Sequence, residues 1–300
     1  MSEPHLSLVV ATKGRATPFQ ALFESLEAQT CRDFEVVVVD QNPDARVGTP
    51  ETEGWSFPIR HLRTPSETGA SRARNAGFAV ARGVRILFPD DDCWYPPNFL
   101  AHALERMQAL NADVLAGRAA DPVTGRDING RFEQVVTRID RDNVWTTGIE
   151  WVVLFDRKVL QAVGGYDVGI GVGASTPWQS CEAQDIVLRA LDKGFSCVFD
   201  PSVFGHHAEL DIRDASMLRK GRAYARGLGH VLRVHKYPTR AAASWVLRPT
   251  ARAMLALARG DVTLFSYYRS VALGRLEGWR GRVPAQKPAS PVKQAAPARG

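Results

Sequence analysis

The 300-residue sequence predicts an α/β protein whose central sheet is mostly parallel and covered by helices. Three observations carry this. Through the first two-thirds of the chain, apolar runs of strand length alternate with segments of helical periodicity. One of those runs, FEVVVVD (34–40), holds four consecutive valines, the mark of a strand buried on both faces. At 45% hydrophobic and 23% charged residues, the composition supplies a sizeable core.

Taken in order, LSLVVA (6–11) is a β-branched strand, and PFQALFESLEAQT (18–30) has Phe19, Leu22, Phe23 and Leu26 on one helical face. The valine strand follows, then a short strand PIRHLR (58–63), a helix from about Gly69 to Arg82 and the strand VRILF (84–88). FLAHALERMQAL (99–110) is a helix and ADVLAG (112–117) a strand. Residues 121–147 are polar, with few apolar anchors, and predict loops or a hairpin. GIEWVVLFDRKVLQAVGGYD (148–167) reads as strand, helix and Gly-Gly turn; CEAQDIVLRALDKG (181–194) is a helix closed by Gly194, before a last strand FSCVFD (195–200). Residues 211–235 and 241–275 are helical in pattern. From Val283 the chain is Pro/Ala/Lys-rich and predicts disorder. The division expected is 1–207 as the sheet-bearing domain, 208–282 as a basic helical extension and 283–300 as a tail.

Charge is unevenly spread over a formal net of +6. Residues 1–207 carry 20 Lys and Arg against 27 Asp and Glu, whereas 208–282 carry 15 against 5. A basic rear third seeks phosphate, on nucleic acid, lipid head groups or a phosphorylated substrate. No nucleic-acid recognition motif accompanies it, so nucleic acid is not expected as a partner. Its helix pair, 241–275, interleaves Trp245, Leu255, Leu257, Phe265 and Tyr268 with Arg248, Arg252, Arg259 and Arg269. Such a pair packs on the main domain or makes peripheral contact with an anionic membrane. No run reaches the length of a membrane span, and the N-terminus lacks a secretory pattern, which predicts a cytoplasmic protein. The cysteines Cys31, Cys93, Cys181 and Cys197 form no CxxC pair, and four reduced thiols are expected.

In open α/β sheets the ligand lies at the carboxyl ends of the strands. Asp40 ends the valine strand, and Asp90, Asp91 and Asp92 follow VRILF. Clustered carboxylates there are costly unless a cation compensates them, and Mg²⁺ or Mn²⁺ with a substrate diphosphate is the standard compensation. A solvated acidic turn ahead of the next helix is the alternative reading.

The ordered set LSLVVATKGR, FEVVVVDQNPD, GASRARNAGFAVARG, ILFPDDDCWYPPNFL, VGGYD and CEAQDIVLRAL resembles family 2 glycosyltransferases with the GT-A fold, over about residues 5–207. The resemblance implies inverting transfer of a sugar from a nucleotide-diphosphate donor, assisted by Mn²⁺ or Mg²⁺, in cell-surface polysaccharide or glycolipid synthesis. It implies a UDP-sugar in the first place, and a carbohydrate or lipid-linked acceptor. Ala11, Thr12 and Lys13 would border the nucleoside, and Asp40 would accept a base N–H, unless it is a turn or cap residue. The aspartate run matches the DxD region, with Asp91 and Asp92 toward the metal, Asp90 toward the ribose and His207 completing the metal site. Arg74, beside Arg72 at a helix start, would touch donor phosphate or pair with the aspartates.

Inversion needs a carboxylate to take the acceptor's proton. The family's E-D-x-D-like segment is here Glu182, Ala183, Gln184, Asp185, with alanine where the usual catalytic aspartate stands. Glu182 at the helix mouth is then the expected base, helped by burial against Trp178 or Tyr166. Asp185 is the other candidate, or it ion-pairs with Arg189 four residues on. Ala183 keeps open a rival, a non-catalytic sugar-nucleotide-binding or scaffold protein. A nucleotidyltransferase would need a glycine-rich phosphate loop after the first strand, which ATKGRATP lacks. Gly169-x-Gly171-x-Gly173 follows GGYD rather than a first strand and is expected to be a flexible acceptor loop.

Overall fold

The computed structural model describes residues 4–15 and 19–283. Among these, the elements run β1 (Leu6–Thr12), α1 (Gln20–Glu27), β2 (Phe34–Asp40), β3 (Ile59–Arg63), α2 (Ala70–Val80), β4 (Arg85–Leu87), α3 (Phe99–Ala109) and β5 (Val114–Ala119). They continue with β6 (Thr137–Arg138), β7 (Val153–Asp156), α4 (Arg157–Val163), α5 (Glu182–Asp192), β8 (Cys197–Gly205), α6 (Ala215–Val234), α7 (Thr239–Ala258) and α8 (Val262–Arg280). The eight strands form one sheet in the order β3-β2-β1-β4-β7-β5-β8-β6. Strands β3, β2, β1 and β4 are parallel, as are β5 and β8; β7 and β6 run antiparallel to their neighbours.

The four valines of β2 show why the sheet is covered on both faces. Val36 and Val38 join a core that α1 and α3 close, whereas Val37 and Val39 join a second core against α2 and α5. Alternate side chains of one strand point to opposite faces, so a run with no polar position needs both faces covered. The Gly-Gly turn is present as expected after α4, with Gly164 at φ 76° and Gly165 at φ 73°. Residues 121–147 hold turns and the short β6, which pairs with β8.

The last strand is longer than the sequence suggests. Pro201 reads as a stop, yet β8 runs on to Gly205. Its pairing with β5 shifts register between Ala116 and Arg118, an irregularity that admits the proline. Arg118 Nε donates to the Pro201 carbonyl at 2.8 Å. The extra residues carry His206 and His207 up to the end of β4.

The rear helices pack on the sheet-bearing part and on each other. Helices α6 and α8 cross closely: a Cβ at Gly229 would lie 2.1 Å from the Arg275 carbonyl oxygen, and one at Gly278 2.1 Å from that of Arg226. Glu277 accepts from Arg226 Nε at 2.8 Å and from Arg222 Nε at 3.1 Å across that contact. Helix α7 contains Pro249, which has no N–H to give the carbonyl of Trp245. Arg275 Nη1 from α8 donates to that carbonyl at 2.7 Å, so the fault in one helix is repaired by the next. Except for Val283, the tail expected to be disordered lies outside the described residues, and so does Pro18 at the head of the first expected helix.

Candidate active site

The carboxyl ends of β1 and β4, the start of α2, the mouth of α5 and the residues after β8 enclose a cleft of about 840 Å³. Thr12, Arg15, Arg74, Asp90, Asp91, Asp92, Glu150, Glu182 and His207 all line it. Helix α6 closes one side with Met217, Lys220 and Tyr224, spaced three and four apart on one helical face. The basic rear third is therefore part of the cleft, which its composition did not indicate.

Within the aspartate run each carboxylate has a different partner set. Asp91 accepts from Thr12 Oγ1 at 2.6 Å and from Arg15 Nε at 2.6 Å. Asp92 accepts from His207 Nε2 at 3.1 Å and pairs with the guanidinium of Arg15. Asp90 faces inward, 3.3 Å from Arg74 Nη2. Burial pushes Asp90 and Asp91 above the usual carboxylate range, against the pull of the nearby arginines. Burial acts on Asp92 too, but the hydrogen bond and charge of His207, with Arg15, hold it below that range. Burial lowers His207, yet its bond to Asp92 leaves it raised overall.

One ligand atom each from Asp90, Asp92 and His207 lies within 4.8 Å of the others. Two carboxylates and an imidazole are a donor set that suits Mn²⁺ or Mg²⁺. Of the three ligands expected, Asp92 and His207 belong to this group; Asp91, bound by Thr12 and Arg15, lies beside it, and Asp90 joins it. Arg15 was missed in the sequence, as its partners lie 76 and 77 residues away. His206 turns aside, bonding the Ala120 carbonyl through Nδ1 at 2.7 Å.

Arg74 is buried at the centre of three carboxylates. Its Nη1 lies 2.9 Å from Glu150 Oε1 and 3.2 Å from Glu182 Oε1, and its Nη2 reaches Asp90. The pairing with the acids considered for Arg74 is present. Tyr166 lies beneath the guanidinium, 5.6 Å from ring centre to Cζ. Glu182 begins α5, where helix amides favour a carboxylate. Gly171, at φ 114°, passes so close that a Cβ would sit 3.0 Å from its carboxyl carbon. The 169–173 loop also caps α2: the Val172 carbonyl accepts from Ala70 N at 2.9 Å, so that amide is not free for phosphate. Of the two rings expected near Glu182, Tyr166 lies beneath Arg74 and Trp178 stacks on His230 with ring centres 4.4 Å apart.

Two expected site residues stand outside the cleft. Asp185 lies three residues, about 4.5 Å along the axis, below Glu182. It accepts from Arg189 Nε and His235 Nε2, each at 2.8 Å, beside a separate hollow of about 800 Å³. Asp40 is fully buried. Its Oδ1 accepts from the Asn42 backbone N–H and side-chain amide at 2.8 Å, the turn role considered for it. Its Oδ2 has no hydrogen-bond partner, and its neighbour Gln41, not Asp40, lines the cleft. Glu150 carried no motif; its one signal in the sequence was a lone acid at the head of an apolar strand.

Residues 7–164 match Glycosyl transferase family 2, more than half of the chain. The chain belongs to this family. The relative from Haemophilus influenzae described as an uncharacterized glycosyltransferase is 38% identical over 196 residues, 63% of this chain and 62% of that one. The chain therefore matches less than two thirds of that relative's length. Among solved structures, Pyrobaculum calidifontis mannosyltransferase PcManGT in complex with GDP-Man and Mn2+ superimposes with a TM-score of 0.61. The identity is 15%, over 92% of this chain and 87% of that one. S. aureus TarS 1-349 in complex with UDP gives 0.56 at 18% identity, over 93% of both chains. At such identities the likeness shows the fold, which is GT-A, with the helical C-terminal part included in the match.

Proposed function

We propose that this chain transfers a sugar from a nucleotide-diphosphate donor to an acceptor hydroxyl, with inversion at the anomeric carbon. The observation that carries the reading is the meeting of the Asp90–Asp92–His207 set with Glu182 in one cleft at the strand ends. Asp90, Asp92 and His207 would hold Mn²⁺ or Mg²⁺, which when bound neutralises a departing diphosphate. Arg15 and Lys220 supply further positive charge along the same wall. Thr12 and Asp91 stay engaged with each other and fix the end of β1, where the nucleoside would lie. Asp40, whose Oδ2 lies 3.5 Å from His61 Nε2 and 3.6 Å from Arg63 Nε, would act on the base through the end of β2 and its cleft-lining neighbour Gln41.

Glu182 is the base. As the acceptor oxygen bonds to the anomeric carbon, the bond from that carbon to the diphosphate breaks and the hydroxyl proton passes to the Glu182 carboxylate. Asp185, bound to Arg189 and His235, is left a structural role. A UDP-sugar is favoured as donor, since the UDP complex of TarS has the fold matched here; the GDP-Man complex of PcManGT keeps the guanine nucleotide in the test. A carbohydrate or lipid-linked acceptor in cell-surface polysaccharide or glycolipid synthesis, and a cytoplasmic location, complete the reading. The domain limits proposed are 1–207 for catalysis and 208–282 for the helices that close the cleft.

Ala183 favours a second reading, binding of the donor without transfer. Thermal stabilisation by a panel of nucleoside diphosphates, with and without Mn²⁺, tests the site. At 100 times the dissociation constant a ligand adds about 2.7 kcal/mol. A manganese-dependent shift with one nucleotide supports the reading and names the base; no shift with any of them defeats it. Release of nucleoside diphosphate from the donor then separates transfer from binding alone.

A further inference from the structure

We propose that the outward face of α7 docks on an anionic lipid bilayer. The helix is inside out for one that only packs on a protein. Its buried positions are small or rigid: Ala242, Pro249, Ala253 and Ala256. Its large apolar side chains point away, Leu247 at 63% exposed, Met254 at 59%, Leu255 at 51% and Leu257 at 47%, and Val262 continues them at 66%. Met254 and Leu255 lie seven and eight residues after Leu247, so the three form one stripe along the helix. A contiguous apolar stripe left uncovered marks an interaction surface.

Charge names the partner. Helix α7 contains no acidic residue, and Arg248, Arg252 and Arg259, spaced four and seven apart, border the stripe on one side. Two of them lean back over α8-side rings, Arg248 over Trp245 and Arg252 over Tyr268, which fixes the row beside the stripe. The nearest acids are already matched, Asp261 by Arg213 and Glu277 by Arg222 and Arg226. A second copy of the chain would set one arginine row against another. Nucleic acid would use the arginines but leave the leucines exposed. An anionic bilayer takes both, the apolar stripe in the acyl boundary and the arginines among the head groups. No described helix is long and apolar enough to cross a membrane, so α7 would lie in the interface.

The surface is distinct from the cleft, and its test needs no nucleotide. The full chain is co-sedimented with vesicles of phosphatidylcholine alone and of equimolar phosphatidylcholine and phosphatidylglycerol. Binding to the anionic vesicles only, weakened by salt, is expected. Arg248→Gln with Arg252→Gln should weaken it about thirtyfold. Leu247→Ser, Met254→Ser and Leu255→Ser together should abolish it, with unchanged circular dichroism and melting, since all these side chains are exposed. The proposal is overturned if anionic vesicles do not bind, or if neither variant changes binding. It is equally overturned if the wild type self-associates without lipid and the serine variant does not.

Discussion

Glu150 Oε1 and Glu182 Oε1 approach the same nitrogen, Nη1 of the buried Arg74, at 2.9 and 3.2 Å. Only Glu182 accepts a hydrogen bond from it; Glu150 Oε1 lies off the N–H direction and has no hydrogen-bond partner. Two carboxylates beside one guanidinium cannot both be ionised cheaply. Burial, with Glu182 and Asp90 nearby, drives Glu150 well above the usual range despite the charge of Arg74. Burial thus favours the neutral form of Glu150, and Glu182 keeps the hydrogen bond from Arg74.

Glu182→Gln should keep nucleotide-dependent thermal stabilisation while lowering the rate of nucleoside diphosphate release in the presence of acceptor by about a hundredfold or more. Full activity in this variant would remove Glu182 as the base.

Glu150→Gln should stabilise the fold at neutral pH, by on the order of 1 kcal/mol. A carboxyl whose folded pKa is raised contributes stability below its unfolded pKa and loses it as pH rises through the folded one. Variant and wild type should thus unfold alike in urea near pH 4 and diverge above it, with the glutamine form the more stable.

Asp92→Ala and His207→Ala should each remove the Mn²⁺-dependent part of nucleotide stabilisation, because each deletes one atom of the proposed ligand set. Thermal melts with nucleotide, with and without Mn²⁺, read this directly. Asp91→Asn should weaken the effect less, since Asp91 holds Thr12 and Arg15 rather than a ligand position.

Asp185→Ala should cost about 3 kcal/mol at neutral pH by leaving Arg189 and His235 without their buried counter-charge. Burial opposes ionisation of Asp185, but His235 and Arg189 hold it below the usual range. The contribution is therefore present above the unfolded pKa of about 3.9 and lost as pH falls through the folded value. Urea unfolding across pH 2 to 7 should show the gap closing at the acid end.

Arg275→Met should cost about 1–3 kcal/mol, the penalty of an unsatisfied carbonyl at Trp245. Pro249→Ala restores an intrahelical N–H to that carbonyl, so the arginine substitution should cost less in the alanine background. A double-mutant cycle by chemical denaturation measures the difference.

The α/β class, the strand and helix order and the cleft's position at the strand ends were legible in the chain, because each follows from local periodicity. VVVVD can only be a strand covered on both sides, and the aspartates of FPDDD can only lie at its neighbour's carboxyl end. The tertiary structure alone decided how the three aspartates divide their partners. Thr12 and Arg15, almost eighty residues away, bind Asp91; Arg15 and His207 bind Asp92; Asp90 turns inward to Arg74. It alone brought Glu150 to Arg74 and drew Asp185 away to His235. It alone turned the leucines of α7 outward, because Pro249 and the alanines take the buried face. A side chain's period along the chain says which face it lies on. Which charges meet across that face depends on packing between elements distant in sequence.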